Sequence, residues 1–101
     1  MSYRLRYSEE TRRVLRTLPG FYRQRVKRIV EQLSEEPRPA QAKALRDLED
    51  GWRIRLGSWR IIYQVDEAGG DITILAIREK AGPETYQDLP ADDVTGQGAE
   101  S

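Results

Sequence analysis

An α+β fold of two layers, with a helical hairpin packed on an antiparallel meander in the order β-α-α-β-β-β, is what this sequence predicts, on three observations. Residues 3–7 alternate apolar with basic side chains at period two. Residues 9–35 repeat apolar side chains at helical spacing, with one break at Leu18-Pro19-Gly20. Residues 52–78 return to strand patterning, divided by two glycine-containing turns. A chain of 101 residues suits one domain with one modest core, and that domain is expected over residues 1–89.

In the first strand, Tyr3, Leu5 and Tyr7 share one face and Arg4 and Arg6 the other. Ser8 offers an N-cap oxygen to the helix that follows. Glu9 and Glu10 occupy its first turn, where carboxylates favour the positive end of the helix dipole. Val14, Leu15 and Leu18 form its apolar stripe. Proline disfavours helical geometry in the residue before it, so Pro19 ends this helix and a second starts. Phe21, Tyr22, Val26, Ile29, Val30 and Leu33 form the second stripe, which Glu35-Glu36-Pro37 closes.

Residues 37–50 read as a loop. Trp52-Arg53-Ile54-Arg55-Leu56 is then a strand, Gly57-Ser58 has the composition of a two-residue type II′ turn, and Trp59-Arg60-Ile61-Ile62-Tyr63-Gln64-Val65 is its partner. After a turn over Asp66-Glu67-Ala68-Gly69-Gly70, the run Asp71-Ile72-Thr73-Ile74-Leu75-Ala76-Ile77-Arg78 fits a central strand covered on both faces.

The chain has no cysteine and no histidine, which excludes disulfides, thiolate sites and every scheme that uses imidazole as base, acid or ligand. No cofactor and no metal is expected. The apolar run of roughly 18 residues that a membrane span needs is absent from the sequence, and the start, Met1-Ser2-Tyr3-Arg4, lacks a signal-peptide core. A cytoplasmic location without membrane contact is the default. The formal net charge of zero hides an asymmetry: all 17 basic residues but only 13 of the 17 acids lie in residues 1–87, leaving that part at +4. Residues 90–101 are expected to form a disordered acidic tail. Arginine outnumbers lysine 14 to 3, which reflects either codon preference or a demand for forked phosphate donors.

A two-residue turn fixes the hairpin register, pairing Leu56 with Trp59, Arg55 with Arg60, Ile54 with Ile61 and Arg53 with Ile62. Arg53, Arg55 and Arg60 therefore share a face. Trp52, Trp59 and Tyr63 lie on the other, where core packing is the expected role. Like charges directly opposed on a sheet are destabilising, and no acid occurs between Arg53 and Gln64 to offset them. A plain solvated face is the bland alternative; a site for an anion such as phosphate is the reading that accounts for the cost.

These strands and this element order resemble the RelE/ParE toxin superfamily of type II toxin–antitoxin systems, with a likeness covering about residues 3–89. The resemblance implies a ribosome-dependent, metal-independent endoribonuclease of the RelE branch, which cuts mRNA and inhibits translation. It implies Arg53, Arg55, Arg60, Arg78 and Tyr86 as catalytic residues, a cognate antitoxin as partner, and the ribosome and mRNA as targets. Where the type member has lysines this chain has Arg53 and Arg55, and the Arg78-to-Tyr86 spacing is slightly longer, with Gly82-Pro83 between them. Guanidinium does not give up its proton near neutral pH, so Tyr86 is the best remaining proton-transfer group, with the ribosome as a further source of orientation or of part of the chemistry. Arg60 and Arg78 suit the stabilisation of phosphorane charge.

Each of these residues has a structural alternative. Tyr86 would be a packing residue, and Arg78 would cap a strand or pair with Glu79 or Glu84. Arg23, Arg25, Lys27 and Arg28 on the second helix form either a solvated face or a second RNA-phosphate contact. Two other functions remain open: a ParE-like inhibitor of DNA gyrase, and a noncatalytic RNA- or antitoxin-binding relative.

Overall fold

The computed structural model describes residues 2–80 and 82–89. Strand β1 (Arg4–Tyr7) leads into helices α1 (Glu9–Thr17) and α2 (Gly20–Glu35), followed by a two-residue strand β2 (Lys43–Ala44). The longer strands β3 (Gly51–Leu56), β4 (Trp59–Asp66) and β5 (Asp71–Glu79) come next, and a 3-10 turn covers Pro83–Tyr86. The sheet order is β1-β5-β4-β3-β2, antiparallel except that β1 runs parallel to β5. The predicted α+β fold is thus observed, with one addition: β2 lies inside the stretch read as a loop. Two extended residues carry no periodicity to detect, and Lys43 and Ala44 are strand only because Arg53 and Trp52 pair with them. The acidic tail expected from residue 90 onward lies outside the described residues.

The start of α1 is fixed tightly against β5. Ser8 caps the helix as its sequence position suggests: its Oγ accepts from the Thr11 N–H at 3.0 Å and donates to the Leu75 carbonyl at 2.6 Å. The Thr11 hydroxyl donates to the Ile74 carbonyl at 2.9 Å. Both side chains are fully buried, so these bonds replace water that the groups have lost. At the other end of the hairpin, Gly57 has φ 61° while Ser58 stays out of the left-handed region, the pattern of the predicted II′ turn rather than I′.

Alternation sends one side of the sheet to the helices. Val26, Val30 and Leu33 of α2 pack there on Ile54, Ile61, Tyr63, Ile72, Ile74 and Ile77, with Trp52 and Trp59 at the margin, as their spacing predicts. Phe21 departs from the predicted stripe. It is 65% exposed at the start of α2, where the Arg25 guanidinium lies 5.2 Å from its ring centre. The register of β4 against β5 slips between Ile62 and Tyr63, so Leu75 has no opposite residue. This bulge lets both Leu75 and Ala76 join Ile62 in a second apolar cluster on the reverse face. Leu45, Leu48, Tyr86 and Leu89 cover that cluster. Gly51 permits the cover, because a Cβ there would collide with the Leu48 side chain.

The long connection after α2 is pinned by charge. Arg38 donates to Asp50 at 2.6 and 3.2 Å and to Glu67 at 2.7 Å, while the Trp52 indole donates to Asp50 at 2.8 Å. The Arg38 hydrogen bond, helped by Trp52, outweighs desolvation and holds the Asp50 carboxyl below the usual carboxylate range. A carboxyl depressed in the folded state stabilises the fold above its unfolded pKa of about 4 and loses that contribution as pH falls through the folded value. We therefore expect thermal melts from about pH 5 down to about pH 2 to show a fall in Tm that is smaller in Asp50→Asn. That variant should itself be less stable at pH 7 by on the order of 1 kcal/mol, because the pair is partly exposed.

Candidate functional site

The strand register builds a row of guanidinium groups across three strands. Arg55 of β3 stands opposite Arg60 of β4, as the turn predicts, and Arg60 stands opposite Arg78 of β5. Directly opposed residues share a face, so the row lies on the side of the sheet away from the helices. One step along, Lys43 of β2 stands opposite Arg53, adding a basic residue that the loop reading did not place. Arg55 is exposed and Arg53 half-buried. Among the described residues, no carboxylate lies within ion-pair distance of Arg53, Arg55 or Arg60.

Arg60 differs from its neighbours in being only 6% exposed. Its Nη1 donates to the carbonyls of Gly57 and Trp59, at 3.0 and 2.9 Å, which anchors the guanidinium to the hairpin turn. Nε is buried and has no partner among the described residues. A buried unsatisfied donor costs about 1–3 kcal/mol, and that cost falls on the Nε edge of the group, the side from which arginine forks onto a carboxylate or phosphate.

Arg78 has the opposite character. Nε and Nη2 grip both oxygens of Glu10, at 2.7 and 2.9 Å. Nη1 donates to the carbonyls of Thr85 and Gln87 at 3.0 and 2.6 Å, and Nη2 also reaches the Asp88 carbonyl at 3.4 Å. A guanidinium has five N–H donors in all, and every one is used. The carboxylate partner is Glu10, 68 positions away, rather than the adjacent Glu79, and the Glu84 side chain lies outside the described residues. The Glu10 hydrogen bond pushes the Arg78 guanidinium above its ordinary value and outweighs desolvation. Tyr86 sits in the segment that Arg78 holds, half-buried against Ile62, Leu75 and Ala76.

The basic residues of α2 form no part of this face. Arg23 donates to the carbonyls of Leu15 and Leu18 at 3.0 and 2.8 Å, tying off the end of α1. Arg25 lies over Phe21. Lys27 and Arg28 are exposed and border a shallow depression with Gln24 and Glu31. Since α2 covers the opposite side of the sheet, these four side chains do not join Arg53, Arg55 and Arg60.

Residues 5–82 match the family model described as the ParE toxin of the type II toxin–antitoxin system parDE. The chain belongs to this toxin family. Solved structures extend the likeness to RelE. This type II toxin is 28% identical to a chain of the RelBE2 toxin–antitoxin complex from Mycobacterium tuberculosis, over 79% of its own length and 100% of that chain, with a TM-score of 0.67. To the archaeal RelE–RelB complex from Pyrococcus horikoshii the identity is also 28%, covering 81% of the toxin and 99% of that chain, TM-score 0.72. The intact Escherichia coli RelBE complex gives 26%, 79% and 99%, TM-score 0.72. A comparison with curated protein sequences gives no match. Superfamily and fold therefore agree with the resemblance read from strands β3 and β4. Among the described residues of the toxin, no helix is long and apolar enough to cross a membrane.

The structure brings Arg53, Arg55, Arg60, Arg78 and Tyr86 to one face, but only Arg60 among them has a buried donor left unsatisfied. Two contributors escaped the sequence reading. Glu10 looked like a residue serving the helix dipole, and nothing local marks it as the partner of Arg78. Lys43 carried no signal, because its strand is two residues long.

Proposed function

We propose that this toxin is a RelE-like endoribonuclease that cuts mRNA on the ribosome, with Arg60 as the ligand of the scissile phosphate. The observation that carries the reading is the anchored guanidinium of Arg60, whose Nε is buried without an acceptor. A folded protein retains such a group at a cost unless a ligand completes it.

Cleavage in this scheme uses the substrate's own nucleophile. The 2′-oxygen forms a bond to phosphorus as its proton leaves, the bond from phosphorus to the 5′-oxygen breaks, and that oxygen takes up a proton. The products are a 2′,3′-cyclic phosphate and a 5′-hydroxyl, so no water is consumed in this step. Arg60 stabilises the negative charge that builds on the nonbridging oxygens. Arg53, Arg55 and Lys43 supply the field that holds the RNA backbone on the face. Tyr86, on the same side of the sheet, is assigned the proton transfer in this scheme. Arg78, with no free donor in this conformation, serves the placement of residues 85–88. The basic face of α2 is proposed as a separate contact to ribosomal RNA phosphates. The similar RelE chains were solved with RelB antitoxins. By analogy this toxin takes a cognate antitoxin as partner and works in the cytoplasm, where ribosomes are.

A second reading follows from the family model, which is that of ParE rather than RelE: inhibition of DNA gyrase by binding, with no RNA chemistry. Purified toxin added to ribosomes programmed with a short mRNA, and in parallel to gyrase with relaxed plasmid, separates the two. Fragments ending in cyclic phosphate with supercoiling intact support the nuclease. Blocked supercoiling with intact mRNA replaces it with the gyrase inhibitor.

A further inference from the structure

We infer that Glu10 is a positioning residue of the toxin's site: acting through Arg78, it fixes the backbone on both sides of Tyr86 and so sets where the tyrosine hydroxyl stands. The catalytic consequence rests on the nuclease reading above, whereas the geometry stands without it.

The chain of contacts is continuous. Ser8 and Thr11 bind the first turn of α1 to the carbonyls of Leu75 and Ile74, which gives Glu10 a rigid base on β5. From there the carboxylate takes Nε and Nη2 of Arg78 in a bidentate pair at 2.7 and 2.9 Å. The two side chains are only 25% and 21% exposed, so the pair is shielded more than a surface ion pair and its fork geometry fixes the guanidinium plane. That plane directs the remaining donors to the carbonyls of Thr85, Gln87 and Asp88, on either side of Tyr86. Asp88 has φ 51°, a left-handed conformation sparsely populated by residues other than glycine, in the same segment that Arg78 binds. The Tyr86 ring, carried by this backbone, packs on Ile62, Leu75 and Ala76.

If Arg78 instead bound phosphate directly, Glu10 would compete with the substrate for it. The two roles predict opposite signs. As a positioning residue, Glu10 replaced by alanine should lower the single-turnover rate of mRNA cleavage on saturating ribosomes by about 10- to 100-fold, the scale of a misplacement on the order of 1 Å. Affinity for the ribosome should stay within about twofold, since the lost interaction acts in the transition state rather than in binding. Glu10→Gln, which keeps one acceptor for the fork, should fall between wild type and Glu10→Ala. In the double variant with Tyr86→Phe the rate should drop no further than in Tyr86→Phe alone, because both changes act through one hydroxyl. General destabilisation would add to the Tyr86 effect instead. A rate that is unchanged or higher in Glu10→Ala overturns the inference, as does full additivity.

A second readout does not depend on RNA cleavage. Backbone ¹⁵N order parameters for residues 85–88 should fall from about 0.85 towards 0.6 in Glu10→Ala, with β5 unchanged. Rigid residues 85–88 in that variant would refute the clamp. A wild-type protein that shows the clamp yet cuts no mRNA would refute the nuclease reading alone.

Discussion

Replacing Arg60 with alanine should lower ribosome-dependent mRNA cleavage by about two to three orders of magnitude, roughly 3–4 kcal/mol of transition-state stabilisation. The expectation follows from where the guanidinium is held. Nη1 is committed to the carbonyls of Gly57 and Trp59, so the group is oriented before any substrate arrives, while Nε stays buried and unsatisfied. A preorganised donor of this kind does its work where charge develops. The same variant should change little in thermal stability, because relief of the unsatisfied buried Nε is offset by the hydrogen bonds lost to the Gly57 and Trp59 carbonyls. Lysine should not rescue activity, since an ammonium lacks the planar fork. Single-turnover cleavage and a thermal melt, made on the same preparations, check both halves. An active Arg60→Ala protein would remove Arg60 from the site.

The second large effect is expected at Tyr86. Tyr86→Phe keeps the ring that packs on Ile62, Leu75 and Ala76 and removes only the hydroxyl. If that hydroxyl transfers a proton, the cleavage rate should fall by about 10² to 10⁴ at constant ribosome affinity. Packing is unchanged by the substitution, so Tm should move little. A packing role for Tyr86 predicts the reverse: Tyr86→Phe retains full activity, and only Tyr86→Ala, which uncovers the second cluster, loses it. Measuring rate, affinity and Tm for both variants distinguishes the two. Among the described residues of a site otherwise made of arginines, Tyr86 and Lys43 carry the protons that can be transferred, so this pair of variants also tests whether Lys43 or the ribosome supplies the remaining chemistry.

The hairpin was legible because two constraints agreed. A two-residue turn at Gly57-Ser58 and strict alternation on both sides fix one register, and the pairs from Leu56–Trp59 to Arg53–Ile62 are those observed. The N-cap at Ser8 and the break at Pro19 were legible for similar local reasons. Alternation tells which face a residue takes but not how deeply it is covered, so Arg60 and Arg55 looked alike in sequence while one is buried and the other exposed. In β5 the apolar run hid the bulge at Leu75, because a strand buried on both faces has no polar residue to mark a change of phase. Spacing alone puts Phe21 on the apolar stripe, yet it falls in the first turn of α2, beyond the edge of the packed face. The Glu10–Arg78 clamp joins residues 68 apart and had no periodicity to announce it.

The most direct test of the central claim is to map messenger 5′ ends in cells induced to make this toxin, by primer extension on a reporter with and without its start codon. The account predicts cuts phased to codons in the translated reporter, absent when the start codon is removed and absent with Arg60→Ala. Growth arrest without such cuts, accompanied by loss of plasmid supercoiling, would contradict it and place the toxin with the gyrase inhibitors.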